Sequence, residues 1–181
     1  MQQHPQVSVY IAVSLDGFIA RADGRLDWLE PMQVPNEDYG YSQFFSSIDA
    51  VVMGRATYDT ALGFDAWPFE TKRVAVLTHR PLDSRHGETA HQGALTPLLA
   101  SLVAEGIRHV YLDGGKVIRQ GLTERVVDEL TLSTVPVVLG KGRPLFDASL
   151  PESSWTLLSS RPFASGLVQS RYRSAHAAMV D

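Results

Sequence analysis

The sequence predicts an α/β protein with a mostly parallel central sheet and antiparallel strands near its C-terminus. Four apolar runs, each followed by a turn or a helical pattern, predict buried strands at residues 7–13, 50–53, 74–77 and 110–113. Continuous apolar runs are typical of parallel strands that are covered on both faces. Four later strand-like stretches have no helical pattern of useful length between them, and they cover residues 129–135, 137–139, 155–160 and 167–172. This change of pattern indicates antiparallel strands added to one edge of the sheet.

The composition suits a single domain over residues 1–181 and excludes several functional classes. With 44% hydrophobic and 20% charged residues, the chain can bury one core. A net charge of −4 and no basic stripe argue against a nucleic-acid partner. The sequence has no Cys, so disulfides, thiolate metal sites and Cys nucleophiles are excluded, and we expect no metal. No signal peptide or long apolar segment is visible, and we expect a cytoplasmic protein that does not bind membranes.

Capping residues and apolar spacing predict the helices. Asn36 has the side chain of an N-cap, and the apolar spacing of residues 41–48 continues that helix. A second helix is expected over residues 55–62. Thr96, followed by proline, predicts the start of a third helix.

A fourth, short helix follows the glycine pair after residue 113 and is predicted to end at Gly121. A short strand is also expected at residues 89–91. By contrast, residues 16–35 contain two Asp-Gly turn pairs and are predicted to be mostly irregular. A long loop directly after the first strand of an α/β protein is often a binding loop.

Polar or glycine-bearing loops follow three of the predicted parallel strands, at residues 53–57, 78–80 and 114–116. Because parallel strands end at the same edge of a sheet, these loops should line one crevice. A glycine pair before a helix lets the backbone approach a phosphate, which the free N–H groups and the helix dipole favour. Two such cradles, with Arg80 as an additional cation for a third phosphate, indicate a phosphorylated dinucleotide.

Common alternative motifs do not occur in the sequence. There is no G-x-G-x-x-G fingerprint and no complete P-loop. The G-x-S-x-G nucleophile motif and the H-E-x-x-H zinc motif are also missing. The crevice prediction therefore rests on the three loops and on a resemblance.

Three segments of the sequence resemble the dihydrofolate reductase-like superfamily, namely residues 12–20 (AVSLDGFIA), 51–58 (VVMGRATY) and 113–115 (DGG). Within it, the chain resembles the riboflavin-biosynthesis reductase domain family, the RibD C-terminal-like domains, over roughly residues 7–172. The resemblance implies a three-layer dihydrofolate reductase-like fold. It also implies an NADPH-dependent reductase of the 5-amino-6-(5-phosphoribosylamino)uracil reductase type, which transfers hydride to a small heterocyclic or ribosyl substrate.

By position, the resemblance also implies roles for individual residues. Cofactor contacts are implied at Ala12, Ile19, Gly54, Arg55, Ala56, Thr57, Thr78, His79, Arg80, Gly114, Gly115, Lys116, Val117 and Ile118. Asp16 is implied in the loop over the nicotinamide, and Tyr41 and Phe45 in the substrate wall. Counting back from Met53 without gaps, Asp38 falls where folate reductases keep their catalytic carboxylate. To act as an acid near neutral pH, Asp38 would need a pKa raised by burial.

Several alternatives remain open at this point. Asp38 could instead be an ordinary acidic residue in the first turn of a helix. Asp16 and Gly17 could simply form a turn. The protein as a whole could be a dihydrofolate or pterin reductase, a catalytically silent NADPH-binding module, or an interaction protein. The exposed edge of the antiparallel strands suggests a homodimer.

Overall fold

A computed structural model of the chain describes residues 4–176 and has one eight-stranded sheet with helices on both faces. The strands of this sheet are β1 (Gln6–Ser14), β3 (Ala50–Gly54), β4 (Arg73–Leu77), β5 (Thr89–His91), β6 (His109–Asp113), β7 (Glu129–Val135), β9 (Trp155–Pro162) and β10 (Val168–Ser174). A separate two-stranded sheet pairs β2 (Phe18–Ala20) with β8 (Arg143–Pro144). The α-helices are α1 (Tyr41–Ser46), α2 (Arg55–Ala61), α3 (Leu95–Ala104) and α4 (Gly115–Thr123), and a 3-10 helix spans Asp27–Met32.

The strand order of the large sheet is β5-β4-β3-β6-β1-β7-β10-β9. All neighbours from β5 to β7 are parallel, whereas β10 is antiparallel to both β7 and β9. The predicted fold class is therefore confirmed.

The two faces of the sheet carry separate cores because side chains alternate along each strand. On one face, α3 and α4 pack with the largest cluster, in which Leu99, Leu112 and Ile118 are fully buried. On the other face, α1 and α2 pack with a second cluster around Met53 and Tyr58. A third cluster on this face centres on Trp28 of the 3-10 helix. The protein thus has three layers.

The first helix begins later than predicted. Asn36 is not its N-cap but lies in a turn with φ of 63°, and α1 begins at Tyr41 after Gly40, whose φ is 85°. The Asp38 carboxylate accepts hydrogen bonds from the backbone N–H groups of Gly40 and Ser42, at 2.8 and 3.0 Å. Asp38 therefore does the capping that the sequence assigned to Asn36.

Helix α3 also begins at a different residue from the predicted Thr96. It starts at Leu95, and the carboxylate of Glu124 accepts hydrogen bonds from the N–H groups of Leu95 and Thr96, each at 3.0 Å. Helix α4 does not end at Gly121 but continues to Thr123. A Cβ at Gly121 would lie 2.6 Å from a methyl group of Leu112, so this glycine permits close packing of α4 on β6.

Two predictions about loops were wrong in part. Residues 137–139 form no strand, because the N–H groups of Leu139 and Gly140 bond to a carboxylate from the first loop. Residues 16–35 are more ordered than expected, since they contain β2 and the 3-10 helix. Within residues 4–176, no helix is long and apolar enough to cross a membrane.

Candidate functional site

The glycine-bearing loops meet at one edge of the sheet. Strands β4, β3 and β6 are adjacent and parallel, and their registers place Gly54 opposite Leu77 and Met53 opposite Asp113. The loops that follow these strands therefore start side by side. They also touch: a Cβ at Gly114 would collide with the side chain of Thr57, and a Cβ at Gly54 would lie 3.5 Å from Val117.

The start of α4 has the geometry of an anion cradle. Gly114 is the N-cap, with φ of 93° and no side chain to bond the first N–H groups of the helix. These N–H groups are therefore left for solvent or a ligand. Gly115 faces Ile19, whose Cδ1 a Cβ at Gly115 would overlap. The two glycines thus hold the β6–α4 turn against α2 on one side and β2 on the other.

The residues predicted to hold the 2′-phosphate lie beside this cradle. The Thr78 hydroxyl accepts a hydrogen bond from the Arg80 N–H at 3.1 Å, which shapes the turn after β4. Arg80 is largely exposed, and its guanidinium lies 3.8 Å from the Asp59 carboxylate. His79 is exposed at the same turn.

Arg55 links α2 to the loop after β4. Its Nε donates to Asp59 at 2.6 Å, and its Nη1 donates to the carbonyl of Pro81 at 3.0 Å. Ala56 and Lys116 are exposed beside their respective glycine corners. Arg55 therefore positions the loops of the crevice while keeping about a quarter of its side chain accessible.

Two of the residues expected to line the cofactor are core residues. Val117 is 2% exposed and Ile118 is fully buried in the largest cluster. Their side chains face the sheet because the first turn of α4 packs directly on it. The cofactor contacts expected at Val117 and Ile118 therefore stay predictions, and their buried side chains leave the backbone as the part that would make them. Ala12 and Ile19, by contrast, are only partly buried, as a nicotinamide contact requires.

Asp16 is occupied by its own loop rather than directed at a substrate. One carboxylate oxygen accepts hydrogen bonds from the Ser14 hydroxyl at 2.6 Å and the Leu139 N–H at 3.0 Å. The other accepts from the Gly140 N–H at 2.7 Å. The Ser14 hydrogen bond, followed by these backbone bonds, lowers the pKa of Asp16. Asp16 therefore ties the loop after β1 to the segment after β7.

Asp38 lacks the raised pKa that a catalytic acid would need. Its carboxylate is exposed, and hydrogen bonds from Ser42 and Gly40 lower its pKa. The carboxylate that does combine burial with a place on the rim is Asp113, at the end of β6. Burial raises the pKa of Asp113 to about 6, although hydrogen bonds from Tyr111 and the Gly114 N–H pull it down.

Sequence reasoning assigned no role to Asp113, although the residue belongs to the quoted motif. A usable signal was present in the sequence. Asp113 directly precedes the glycine pair and lies on the same face of β6 as Tyr111, two residues earlier. That face also carries Tyr41 of α1. Burial, followed by the charge of Asp113, raises the pKa of Tyr41 to about 12.

Aromatic side chains form the wall of the cleft beside Asp113. The ring of Tyr41 stacks on Phe45 with centroids 5.6 Å apart and meets Tyr10 edge-on at the same distance. Tyr41 is 36% exposed, whereas Phe45 is partly buried against the second cluster. Trp28 is 5% exposed in the third cluster, against which Ala12 packs, and its indole N–H has no partner among the described residues.

The sheet order, the antiparallel edge and the rim glycines define a dihydrofolate reductase-like fold. The dihydrofolate reductase of Enterococcus faecalis, whose structure was solved in complex with NADP(H), superposes with a TM-score of 0.66. The superposition covers 94% of this chain and 96% of that enzyme. Sequence identity is 17%, so this likeness shows the fold alone.

Within that fold, the chain belongs to the RibD C-terminal domain family, the reductase domain of riboflavin biosynthesis, whose model matches residues 5–169. It is 34% identical over 159 residues to the uncharacterized protein YwjB of Bacillus subtilis (strain 168), covering 86% of this chain and 90% of YwjB. A crystal structure from Shewanella sp. PV-4, provisionally assigned to riboflavin biosynthesis, is 35% identical with a TM-score of 0.86. That match covers 93% of this chain and 98% of the Shewanella chain. The family resemblance is confirmed.

Proposed function

We propose that the protein is an NADPH-dependent reductase of the riboflavin-biosynthesis reductase type, acting on a small heterocyclic or ribosyl substrate. The observation that carries this proposal is the contact between the Gly114 and Thr57 corners beside a partly buried carboxylate. A Cβ at Gly114 would collide with the Thr57 side chain, so the lack of a Cβ lets the two corners meet and face the same ligand. A cytoplasmic location stays a prediction from the sequence.

The chain offers groups suited to each part of the cofactor. The uncapped start of α4 would receive the pyrophosphate, with Gly54 and Thr57 across the same corner. Thr78, His79 and Arg80 would hold the adenine ribose and its 2′-phosphate, since Arg80 is the exposed cation at that turn. Ala12, Ile19 and Gly115 would bound the nicotinamide, and NADPH when bound would supply the hydride.

Reduction of a C=O or C=N bond takes up one hydride and one proton. We propose Asp113 as the proton donor, in place of Asp38. Its carboxyl has a pKa of about 6, so a useful fraction is protonated near neutral pH. Tyr41 and Tyr111 would hold the donor in place and restrict water around it, since both pack beside it.

The experiment that tests the proposal measures NADPH binding and then turnover. We expect NADPH to raise the melting temperature of the protein and its own fluorescence to change on binding. NADH should bind more weakly because it lacks the phosphate that Arg80 would hold. Consumption of NADPH with a ribosylaminouracil or a dihydropterin would then establish reduction. No response to millimolar NADPH would contradict the proposal.

Two alternatives keep a specific basis. A buried acid is what a pterin reductase needs, so Asp113 keeps that reaction as the second candidate. A catalytically silent NADPH-binding module would bind the cofactor without consuming it with either substrate. The two assays above separate these three readings.

We also propose that the protein is a homodimer. A groove of about 330 Å³ lies on the α3 and α4 side of the antiparallel strands, next to the uncovered edge strand β9. The groove is lined by Leu130, Leu132, Phe146, Ser153, Trp155 and Tyr172. Leu157 beside it is 54% exposed.

A second copy fits this surface better than an unrelated partner. Arg125 and Glu152, opposite in charge, line the adjoining cavity, and neither has an ion-pair partner within residues 4–176. A two-fold axis through this surface would bring the two charges together across the interface. Light scattering should give a dimeric mass that Leu157→Glu converts to a monomer, whereas a monomeric wild type would contradict the proposal.

A further inference from the structure

The substrate side of the cleft is acidic. Its outer part is formed by the 3-10 helix, the loop that follows it, and α1, and residues 26–54 contain no Lys or Arg. We call residues 27–38 the acidic wall, because Asp27, Glu30, Glu37 and Asp38 lie within it. Asp27 is neutralised by Arg21 at 2.7 Å. The other three acids have no ion-pair partner among the described residues.

The charges of this wall reach the inside of the cleft. Burial raises the pKa of Tyr10, and the negative charges of Asp38 and Glu37 raise it further. The Tyr10 ring meets Tyr41 at 5.6 Å, so the wall acts on the same aromatic surface that borders Asp113. Charges closer to each other than one Debye length, about 8–10 Å, are only partly screened by salt.

The inner surface of the cleft offers groups for an uncharged heterocycle. The Trp28 side chain is only 5% exposed, and its indole N–H lacks a partner in the described part of the chain. A buried N–H without a partner is costly, and a carbonyl or ring nitrogen of a ligand would satisfy it. Asp113 can bond to an N–H of the same ligand. In its carboxylate form Asp113 would repel a phosphate.

Cations on this face of the sheet are engaged with other groups. The Lys72 ammonium donates to the Ile48 carbonyl at 2.6 Å and lies 5.0 Å from the centroid of the Phe45 ring. Arg171 and Arg173 both bond to Glu129, at 3.1 and 3.4 Å. Arg161 of β9 stacks on the ring of Phe163 at 4.6 Å. Four strand spacings separate β6 from β9, which places these two strands roughly 19 Å apart.

We propose that the substrate of this reductase is an unphosphorylated, neutral or cationic nitrogen heterocycle. The inference rests on the proposed function, since it names the substrate class of that same site. A phosphate on a ligand seated at Asp113 would face the acidic wall and a partly buried carboxylate, on which no cation within residues 4–176 acts. A ribosyl or pterin substrate without phosphate meets no such repulsion.

The test compares one ligand pair that differs only in the phosphate. NADPH binding is measured first by thermal shift, so that failure of the cofactor site is recognised separately. Calorimetry on the NADPH-loaded protein, or on the NADP⁺-loaded protein if turnover interferes, then compares 5-amino-6-ribosylaminouracil with its 5′-phosphate. We expect the unphosphorylated ligand to bind about tenfold more tightly, and added salt to strengthen binding of the phosphate only, because it screens the wall.

Charge variants make the test specific to the wall. Glu30→Gln with Glu37→Gln should strengthen binding of the phosphorylated ligand severalfold and leave the other unchanged. The control pair Asp65→Asn with Glu70→Gln removes the same charge from exposed positions outside the wall and should change neither. Tighter binding of the phosphorylated ligand, lost in Arg161→Gln, would overturn the inference. NADPH binding with no binding of either ligand would also overturn it and leave the cofactor site standing.

Discussion

At the scale of single residues, two aspartates near the cleft have opposite environments. Asp38 accepts hydrogen bonds from backbone N–H groups and stays exposed, which favours its carboxylate form. Asp113 is partly buried beside Tyr111 and the glycine corner, and the loss of solvent around its carboxyl raises its pKa and favours the protonated form. Since hydrogen bonding to the charged form and desolvation shift a pKa in opposite directions, only Asp113 suits an acid near neutral pH.

Replacing Asp38 by Ala should weaken the protein without disabling it. The start of α1 loses its side-chain acceptor, and loss of such a cap costs about 1 kcal/mol in the free energy of unfolding. Urea denaturation measures this cost, and Asp38→Asn, which keeps an acceptor, is the control. The rate of NADPH consumption should stay within about threefold of wild type, because a capping residue takes no part in proton transfer. A drop on the scale of a lost general acid would return the catalytic role to Asp38.

Replacing Asp113 by Asn should have the larger kinetic effect. The amide keeps the shape of the side chain but cannot supply the proton, so kcat should fall on the order of 100-fold. In the wild type, activity should fall as pH rises through about 6, where the acid is lost. The variant should lack this limb of the pH profile. A variant that keeps both the rate and the limb would exclude Asp113 as the donor.

The sequence predicted correctly the features that depend on local backbone conformation. It misled where the role of a side chain depends on hydrogen-bond partners far away in the sequence. Gly54 and Gly114 could be placed on one rim, because parallel strands end together whatever their loops contain. Asp16 could not be assigned, since its carboxylate is occupied by Leu139 and Gly140, more than 120 residues away. No local pattern reveals such a bond.

At the scale of elements, the crevice depends on how closely the starts of α2 and α4 approach each other. Gly114 permits this approach by having no Cβ at a position that faces Thr57. Helix starts were also where prediction failed, as α3 shows. Its first N–H groups bond to Glu124 at the end of α4, so the capping residue is remote in sequence.

Two glycines with the same backbone conformation allow the cost of backbone strain to be distinguished from a steric clash with a neighbouring side chain. Gly114 and Gly106 have φ of 93° and 90°, so Ala is strained at both. Only at Gly114 does the added Cβ meet another side chain, whereas nothing lies within 4 Å at Gly106. Each Ala variant should lose about 1 kcal/mol or more in stability from the backbone.

Gly114→Ala should in addition weaken NADPH binding at least about tenfold, which corresponds to 1.4 kcal/mol. Gly106→Ala should leave NADPH affinity unchanged, because it lies at the far end of α3. Fluorescence titration of both folded variants provides the comparison. Equal NADPH affinity in the two variants would contradict the role of the cradle.

At the scale of the whole molecule, the parallel half of the sheet and its antiparallel extension have different tasks. The four strands β4, β3, β6 and β1 are adjacent, and their ends carry the residues of the crevice. The extension adds β10 and the exposed edge strand β9 beside β7. The fold class was predictable because buried parallel runs and antiparallel runs differ in sequence pattern. The proposed substrate cleft was not predictable, because the 3-10 helix assigned to its wall has the sequence pattern of a loop.

The raised pKa of Asp113 should also affect how the stability of the whole protein depends on pH. Its pKa is raised to about 6 in the folded state, against about 3.9 for an unfolded Asp. Between these two values the folded state binds more protons than the unfolded state. The free energy of unfolding contributed by Asp113 therefore falls as pH rises from about 4 to about 6, and the loss remains above pH 6. Two pKa units at 1.36 kcal/mol each set an upper limit of about 3 kcal/mol.

Other aspartates act in the opposite direction, since hydrogen bonds lower the pKa of Asp16 and Asp38, and their contribution grows as pH rises. The stability of wild type alone therefore does not isolate the effect. The difference between Asp113→Asn and wild type does, because the other groups cancel. Urea denaturation should show the variant gaining stability relative to wild type from pH 4 to pH 7, by up to about 3 kcal/mol. A difference that stays constant over this range would mean that Asp113 titrates like an exposed carboxyl, and the case for it as the proton donor would fall with it.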